Sequence, residues 1–441
     1  MGSFSKNILI TFLTEILVFV LGSFVFIIIA RTLGPAGQGM YSLIVLIPGI
    51  MLVFGSFGIE SANVYFIGSK KYEVEDVVAN SLVLSIFFGS ILTIVFSGIL
   101  LLSSFQRFIY LNNINYIYLW AAISTIPFSL LLSFFKNIIL GTEDIKTYNK
   151  TTILERIFQL ILIIVFLLIL KKGIFGAIIS YVLTIIIATF FATFFVKKIS
   201  KLRFSLNKNL LKDSFVYGGK AYIANALSFL NYRSDMILIA FFLTPAAVGL
   251  FSVAVGISEK LFMLTGPLAT VLFPRISSIE SVEANDFTPK IVRHTFFIIV
   301  ICSLLLFFFA NPLIKIVLGS DFLPSVLPLM ILLPGIIAFG IGGVLAADLA
   351  GRGKPQFAAY SSLTCLIVNF FLNIIFIPKW GISGAAFASS VSYWADTLII
   401  LIAFLKISKK TLRETLLIKK EDFQDYFRAL SNLKDLIQIK K

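Results

Sequence analysis

The sequence predicts an all-α polytopic membrane protein: twelve transmembrane helices in two pseudo-symmetric six-helix bundles around a central cleft. Three observations carry that expectation. Of 441 residues, 59% are hydrophobic and only 13% charged, with mean hydropathy +1.00. Soluble domains run at roughly 45–50% apolar and about 25% charged. The excess apolar side chains need a solvent other than water, and lipid is that solvent. Twelve runs are long and apolar enough to cross a bilayer, and two short patterns recur about 210 residues apart.

A spanning helix needs roughly 20 mostly apolar residues. The runs are 8–30, 43–67, 79–103, 116–140, 152–170, 173–196, 215–243, 246–274, 291–311, 324–350, 357–377 and 381–405. The first carries Glu15 and no small-residue cleavage site, so it reads as a span and not as a cleaved signal peptide. The junctions at 171–172 and 244–245 are two residues long, which makes helical hairpins of the runs they join. Of 37 Lys and Arg residues, 26 fall in one alternating set of loops and termini. Six fall in the other set: Arg31, Arg107, Lys171, Lys172, Lys315 and Lys379. Basic loops stay in the cytoplasm, so both termini are expected there, in the plasma membrane. The net charge of +15 is thereby assigned to cytoplasmic loops, and no nucleic-acid partner is expected.

The repeat sets the domain plan. Residues 33–43 read LGPAGQGMYSL and 243–253 read LTPAAVGLFSV, each between the first and second span of its half. Residues 173–177 read GIFGA and 381–385 read GISGA, each opening a sixth span. Six spans per half keep both halves in the same orientation, the parallel-repeat plan of some secondary transporters. The expected organisation is an N-lobe at 1–200, a basic cytoplasmic linker at 201–214, a C-lobe at 215–405 and a cytoplasmic tail at 406–441. In the tail, Phe423, Tyr426, Phe427, Leu430, Leu433, Leu436 and Ile437 share one helical face beside ten basic residues. That pattern reads as an amphipathic helix on the inner leaflet.

Several chemistries are excluded. Cys302 and Cys365 both sit in apolar runs, and His294 is the single histidine. A disulfide framework, zinc cluster or histidine-based catalytic site is therefore not available. No phosphate-cradling loop or dinucleotide fingerprint occurs. No cofactor, no metal and no enzymatic activity are expected.

Arg31-Thr-Leu-Gly-Pro-Ala-Gly-Gln-Gly-Met-Tyr41, Gly141, Tyr148-Asn149, Asn231-Tyr-Arg-Ser-Asp235, Val248-Gly-Leu-Phe-Ser252, Phe273-Pro-Arg-Ile276 and Gly381-Ile-Ser-Gly-Ala-Ala386 stand at matching topological places. Together they resemble the polysaccharide transporter branch of the multidrug/oligosaccharidyl-lipid/polysaccharide exporter superfamily, the Wzx-type flippases. The resemblance implies translocation of an oligosaccharide repeat unit linked to undecaprenyl diphosphate from the inner to the outer leaflet. It also implies a link to polysaccharide polymerase machinery.

A flippase must shelter a charged, hydrated headgroup while its lipid tail stays in the bilayer. Intramembrane ionisable residues are costly and face interior cavities, and Arg and Lys bind phosphate through charge-assisted hydrogen bonds. The candidate substrate contacts are Arg233, Lys260, Lys220, Asn231 and Lys136. Lys220 and Lys136 lie near cytoplasmic span ends, where snorkelling is the alternative. Glu15, Glu60, Asp235 and Glu259 are candidates for coupling to a proton or sodium ion, or for fixed ion pairs; Arg233 and Asp235, two apart, do not share a helix face. Asp396 reads as a packing or hydrogen-bonding residue. An ion-coupled multidrug or metabolite antiporter of the same superfamily is the alternative reading. A lipid II flippase typically carries two further spans. A membrane glycosyltransferase needs a sizeable outer loop with catalytic groups, and the outer loops are short, with Asp321 their lone acid.

Overall fold

The computed structural model describes residues 3–102, 114–419 and 421–422. All regular structure among them is helical. The elements are α1 (Ser3–Ser56), α2 (Ile59–Gly68), α3 (Val74–Leu100), α4 (Tyr116–Ile123), α5 (Ile126–Gly141), α6 (Ile145–Ile163, continued by a π-turn at Ile164–Ile169), α7 (Gly173–Ile199), α8 (Lys208–Phe242), α9 (Pro245–Ser258), a 3₁₀ turn (Glu259–Leu264), α10 (Gly266–Ser278), α11 (Ser281–Val317), a second 3₁₀ turn (Ser320–Ser325), α12 (Val326–Gly351), α13 (Gln356–Ser408) and α14 (Leu412–Leu416).

Nine helical stretches among the described residues are long and apolar enough to cross a membrane. Two of them are broken by a non-helical glycine: Gly34 in α1 (φ 66°) and Gly381 in α13 (φ 59°). At 1.5 Å per residue, the 53 residues of α13 would extend about 80 Å unbroken, far beyond the ~30 Å hydrocarbon core. Each broken helix therefore supplies two crossings, and with the 35-residue α8 the total is twelve. The expected loop at 31–42 is almost entirely helical. Gly34 alone takes the positive φ, and Pro35 starts the next helix at the position where its missing N–H costs nothing. Likewise the eighth span is interrupted by the Glu259–Leu264 turn, and the second by Phe57 and Gly58, both at positive φ.

The repeated motifs have matching local geometry. Gly173 and Gly381 both take positive φ. Three residues on, a Cβ on Gly176 would meet the Phe166 carbonyl oxygen at 2.8 Å, and one on Gly384 would collide with that of Phe376. In each case the incoming helix lies on the backbone of the outgoing one. The other motif makes a reciprocal crossing. A Cβ on Gly39 would collide with the Pro245 carbonyl oxygen, and one on Gly249 with that of Pro35. The same two positions of each copy thus touch the same two of the other.

The chain clusters into two compact units, 1–252 with 315–322, and 253–314 with 323–441. The core of the first joins Phe66 and Ile67 of α2, Val77, Val78 and Leu82 of α3, Phe135, Ile138 and Ile139 of α5, Ala192 and Val196 of α7, and Leu210 of α8. The basic stretch after α7 is short, because Asn207 already caps α8 by accepting from the Asn209 and Leu210 amides. Asn207 is itself held by Asn80 through two bonds of 2.8 and 3.0 Å and donates to Asp76. One turn on, Asp213 accepts from Lys71 Nζ at 2.6 Å and from the Tyr72 hydroxyl at 2.8 Å. These donors hold its carboxyl below the usual range. Arg31 donates to the Ile316 and Val317 carbonyls, capping the C-terminus of α11 with a cation where the helix dipole favours one.

The core of the second unit joins Leu272 and Ile276 of α10, Val292 of α11, Val344, Leu345 and Leu349 of α12, and Ile400 and Phe404 of α13, with Leu416 packed against it. Asp348, fully buried, accepts from Arg352 at 2.6 and 3.2 Å and from the Thr288 hydroxyl. The start of the tail is docked. Thr411 and Glu414 form a capping box on α14. Arg293 of α11 grips Asp422 with two bonds of 2.6 and 2.9 Å, both side chains buried, and reaches the Glu414 carbonyl. The apolar face from Phe423 to Ile437 lies outside the described residues. Long Phe side chains such as Phe190, Phe241 and Phe308 stand exposed on the spans, as lipid-facing residues do.

Three outcomes follow from this packing. Gly384→Ala should cost about 1–3 kcal/mol by overpacking a backbone contact, whereas Gly343→Ala, with open space around it, should be neutral; thermal unfolding in detergent compares them. Asp422→Ala strands a buried guanidinium and should destabilise the protein by about 3–5 kcal/mol. The Asp422 carboxyl is pulled down to about 2 from 3.8, chiefly by the Arg293 hydrogen bonds. A depressed acid stabilises above its unfolded value, so tail docking, followed by proteolysis after Lys419, should be constant at neutral pH and fade as pH falls from about 4 to about 2.

Candidate functional site

The polar face of α5 organises a cavity inside the first unit. Ser129, Ser133, Lys136 and Asn137 recur at positions i, i+4, i+7 and i+8, so they lie on one side of the helix. Facing them are Pro48, Gly49 and Leu52 of α1, Tyr148 and Glu155 of α6, and Tyr181 and Ile185 of α7. Its volume is about 310 Å³, and it is open on one side.

Charge in this cavity is paired. Lys136 Nζ lies 3.2 Å from Glu155 Oε2, with the side chains only 18% and 17% exposed. The Tyr148 ring lies 5.8 Å from the same ammonium, close enough for a cation–π contribution. Glu60, from α2, accepts the Ser133 hydroxyl. Asn137, which also lines the cavity, donates to the Ser133 carbonyl at 3.0 Å. Arg156, next to Glu155, is engaged by Gln159 at 2.8 Å. The result is one ammonium, two carboxyls, hydroxyls and an amide within membrane-spanning helices. Such groups can exchange a fixed internal pairing for hydrogen bonds to a polar guest.

Of the residues expected from the sequence, Lys136 and Glu60 are brought together here through α5. Lys136 is half-buried and paired with Glu155. Asn231 and Asp235, both buried, lie four apart on one face of α8, and Arg233 is half-buried on another face. Glu259 and Lys260 open the 3₁₀ turn after α9, the first half-buried and the second exposed. Glu15 is exposed on α1. The side chain of Lys220 lies outside the described residues. Asp396 is buried in α13 beside Gly342.

Glu155, Ser133, Asn137, Tyr148 and Tyr181 were not expected. The signal for the α5 group was its helical spacing around Lys136. Glu155 sits in the polar opening of an otherwise apolar run, where the average hides it. A fully buried amide pair in α13 was missed as well: Asn373 donates to the backbone and side-chain oxygens of Asn369, both at 3.0 Å.

A family profile described as polysaccharide biosynthesis protein matches residues 4–280. The chain belongs to this family. A second profile, described as lipid II flippase MurJ, matches residues 153–423, so the two together run through both units. Among curated relatives, the flippase Agl15 of Haloferax volcanii, named for low-salt glycan biosynthesis, is 27% identical over 215 residues. That match covers 46% of this chain and 44% of Agl15. A protein of Shigella flexneri named as an O-antigen transporter is 23% identical over 84% of this chain and 90% of its own length. Among solved structures, the lipid II flippase MurJ in an inward closed conformation superposes with a TM-score of 0.75 at 19% identity, covering 91% of this chain and 90% of that one. The likeness fixes the fold: this polysaccharide biosynthesis family member has the architecture of MurJ, as a multi-pass membrane protein.

The cavity makes one structural prediction. Lys136→Met leaves a buried carboxylate unpaired and should cost about 3–5 kcal/mol, whereas Lys136→Met with Glu155→Met should recover most of it. Thermal unfolding of the wild type, both single variants and the double variant measures the coupling.

Proposed function

We propose that the chain is a flippase that moves a lipid-linked oligosaccharide, a repeat unit on undecaprenyl diphosphate, from the inner to the outer leaflet for cell-surface polysaccharide assembly. The observation that carries this reading is the Lys136–Glu155 pair in a polar cavity within the spans of a polysaccharide biosynthesis family member. An ammonium suits phosphate, and the surrounding hydroxyls, phenols and amide suit sugar. A purely structural helix bundle has little use for charges this expensive in lipid.

In this reading the protein works in the plasma membrane with both termini in the cytoplasm. It transports and does not catalyse, and it passes its product to polymerase machinery. Alternating access moves the headgroup through a central cleft between an N-lobe and a C-lobe. Arg233, Lys260, Lys220, Asn231 and Lys136 make up the cationic and amide contacts along the path. Glu15, Glu60, Asp235 and Glu259 are the carboxyls available for coupling to a proton or sodium, and Glu60 is the one that holds Ser133 of the α5 cavity.

Export of surface polysaccharide in a strain deleted for this gene tests the proposal. Wild-type chain should restore the polymer. Arg233→Ala should lower export at least tenfold while the protein still inserts and accumulates, and Arg233→Lys should retain part of it, keeping the charge but losing the planar fork. Accumulation of the lipid-linked unit in the inner leaflet of the deletion strain is the accompanying readout. Normal polymer in the deletion strain counts against the reading.

A further inference from the structure

Along one side of the first unit, α2 and α8 close on each other as a seam. Contacts run in opposite chain directions: Phe57 with Tyr222 at 5.8 Å between ring centroids, Gly58 with Gly218, Tyr65 with Tyr217, and Lys71 and Tyr72 with Asp213. At the glycines, a Cβ on Gly218 would stand 2.5 Å from the Gly58 carbonyl oxygen, so the two backbones touch. Phe57 holds a φ of 45°, a costly conformation for a bulky residue that persists only where its surroundings impose it. Its ring is gripped by Phe88, Phe215 and Tyr222. The seam thus holds a strained hinge at the start of α2.

The middle of the seam differs from a packed core. The Tyr65 and Tyr217 rings stack at 4.3 Å with 12° between planes, yet the residues are 46% and 40% exposed. Beside them stand an exposed Lys71 ammonium and the Asp213 carboxylate. Flat aromatic faces take the C–H side of a sugar ring, a carboxylate bonds its hydroxyls, and an ammonium takes phosphate. No apolar partner needs that carboxylate, and no nucleotide base is favoured by it.

We propose that Tyr65 and Tyr217 are a sugar-docking subsite at the cytoplasmic entrance, closed on itself in this structure. When the seam parts at the Phe57–Gly58 hinge, each tyrosine loses the other ring and offers that face to the carbohydrate headgroup, while Asp213 turns from Lys71 to the sugar hydroxyls. Substrate contacts then replace the contacts that held the gate shut, so the carbohydrate itself favours opening. The inference rests on the flippase reading and adds a loading site to it.

The test uses proteoliposomes and two probes: the glycan lipid extracted from the strain that makes this chain, and undecaprenyl diphosphate without sugar. Tyr65→Ala and Tyr217→Ala should raise the half-saturating concentration of the glycan lipid about tenfold and leave that of the sugar-free lipid unchanged. Tyr65→Phe and Tyr217→Phe, which keep the ring faces, should stay within about twofold of wild type. In Tyr65→Cys/Tyr217→Cys, oxidation to the disulfide, checked by gel mobility, should stop transport of both probes, and reductant should return it to the level of the alanine variants. Equal effects of the alanine variants on both probes, or full transport by the oxidised double-cysteine protein, overturn the proposal. A wild-type chain that moves neither probe overturns the flippase reading instead.

Discussion

Close approach of backbone to backbone is the constraint on which the rest of the structure depends. In hydrocarbon every peptide group has to be satisfied within its own helix, so the chain can turn or cross only where a missing side chain lets helices touch. Gly39 on Pro245 and Gly249 on Pro35 form such a crossing, Gly58 and Gly218 a second, and Gly176 and Gly384 seat two helical hairpins. The large side chains are displaced from these points. They fill the cores beside them, as Phe66 and Phe135 do, or face lipid, as Phe308 does.

Charge follows a matching economy. Within and at the edges of the spans, three cations are each neutralised by a dedicated carboxylate: Lys136 by Glu155, Arg352 by Asp348, Arg293 by Asp422. The three pairs differ in what surrounds them. Arg352 and Arg293 have further bonds to Asn285 and to the Glu414 carbonyl, which suits fixed architecture. Lys136 borders open volume, and its second neighbour is the face of Tyr148. Arg352 and Asn285 also border a cavity, of about 340 Å³, but there the cation holds a two-bond carboxylate and an amide; the single Lys136–Glu155 contact is the easier one to exchange, and it draws the functional reading to α5.

Much of this was legible in the sequence. Length, hydropathy and the matched motifs sufficed for twelve crossings and for the repeat, because the glycines at 39, 249, 176 and 384 serve the same purpose in both copies. The family resemblance was legible from the same residues. Other features were hidden for physical reasons. A window of apolar residues does not register a single positive φ, so Gly34 and Gly381 read as loops or span ends. Glu155 was absorbed into the polar rim of a span, although its partner Lys136 stood out. The tail was read as surface-bound from its apolar stripe, and its first segment owes its position to Arg293, a partner 129 residues earlier that no local pattern reveals.

That same distance gives the Arg293–Asp422 clamp a meaning in time. The ribosome makes Arg293 long before Asp422, and the intervening chain contains three further crossings. Until Asp422 is made, the guanidinium on α11 must stay hydrated or borrow a lipid phosphate, so this edge of the second unit is completed late. Synthesis of Asp422, after the last crossing, supplies the carboxylate that completes it. A chain cut before Asp422 would thus carry the described spans and still bear an unpaired guanidinium at their edge.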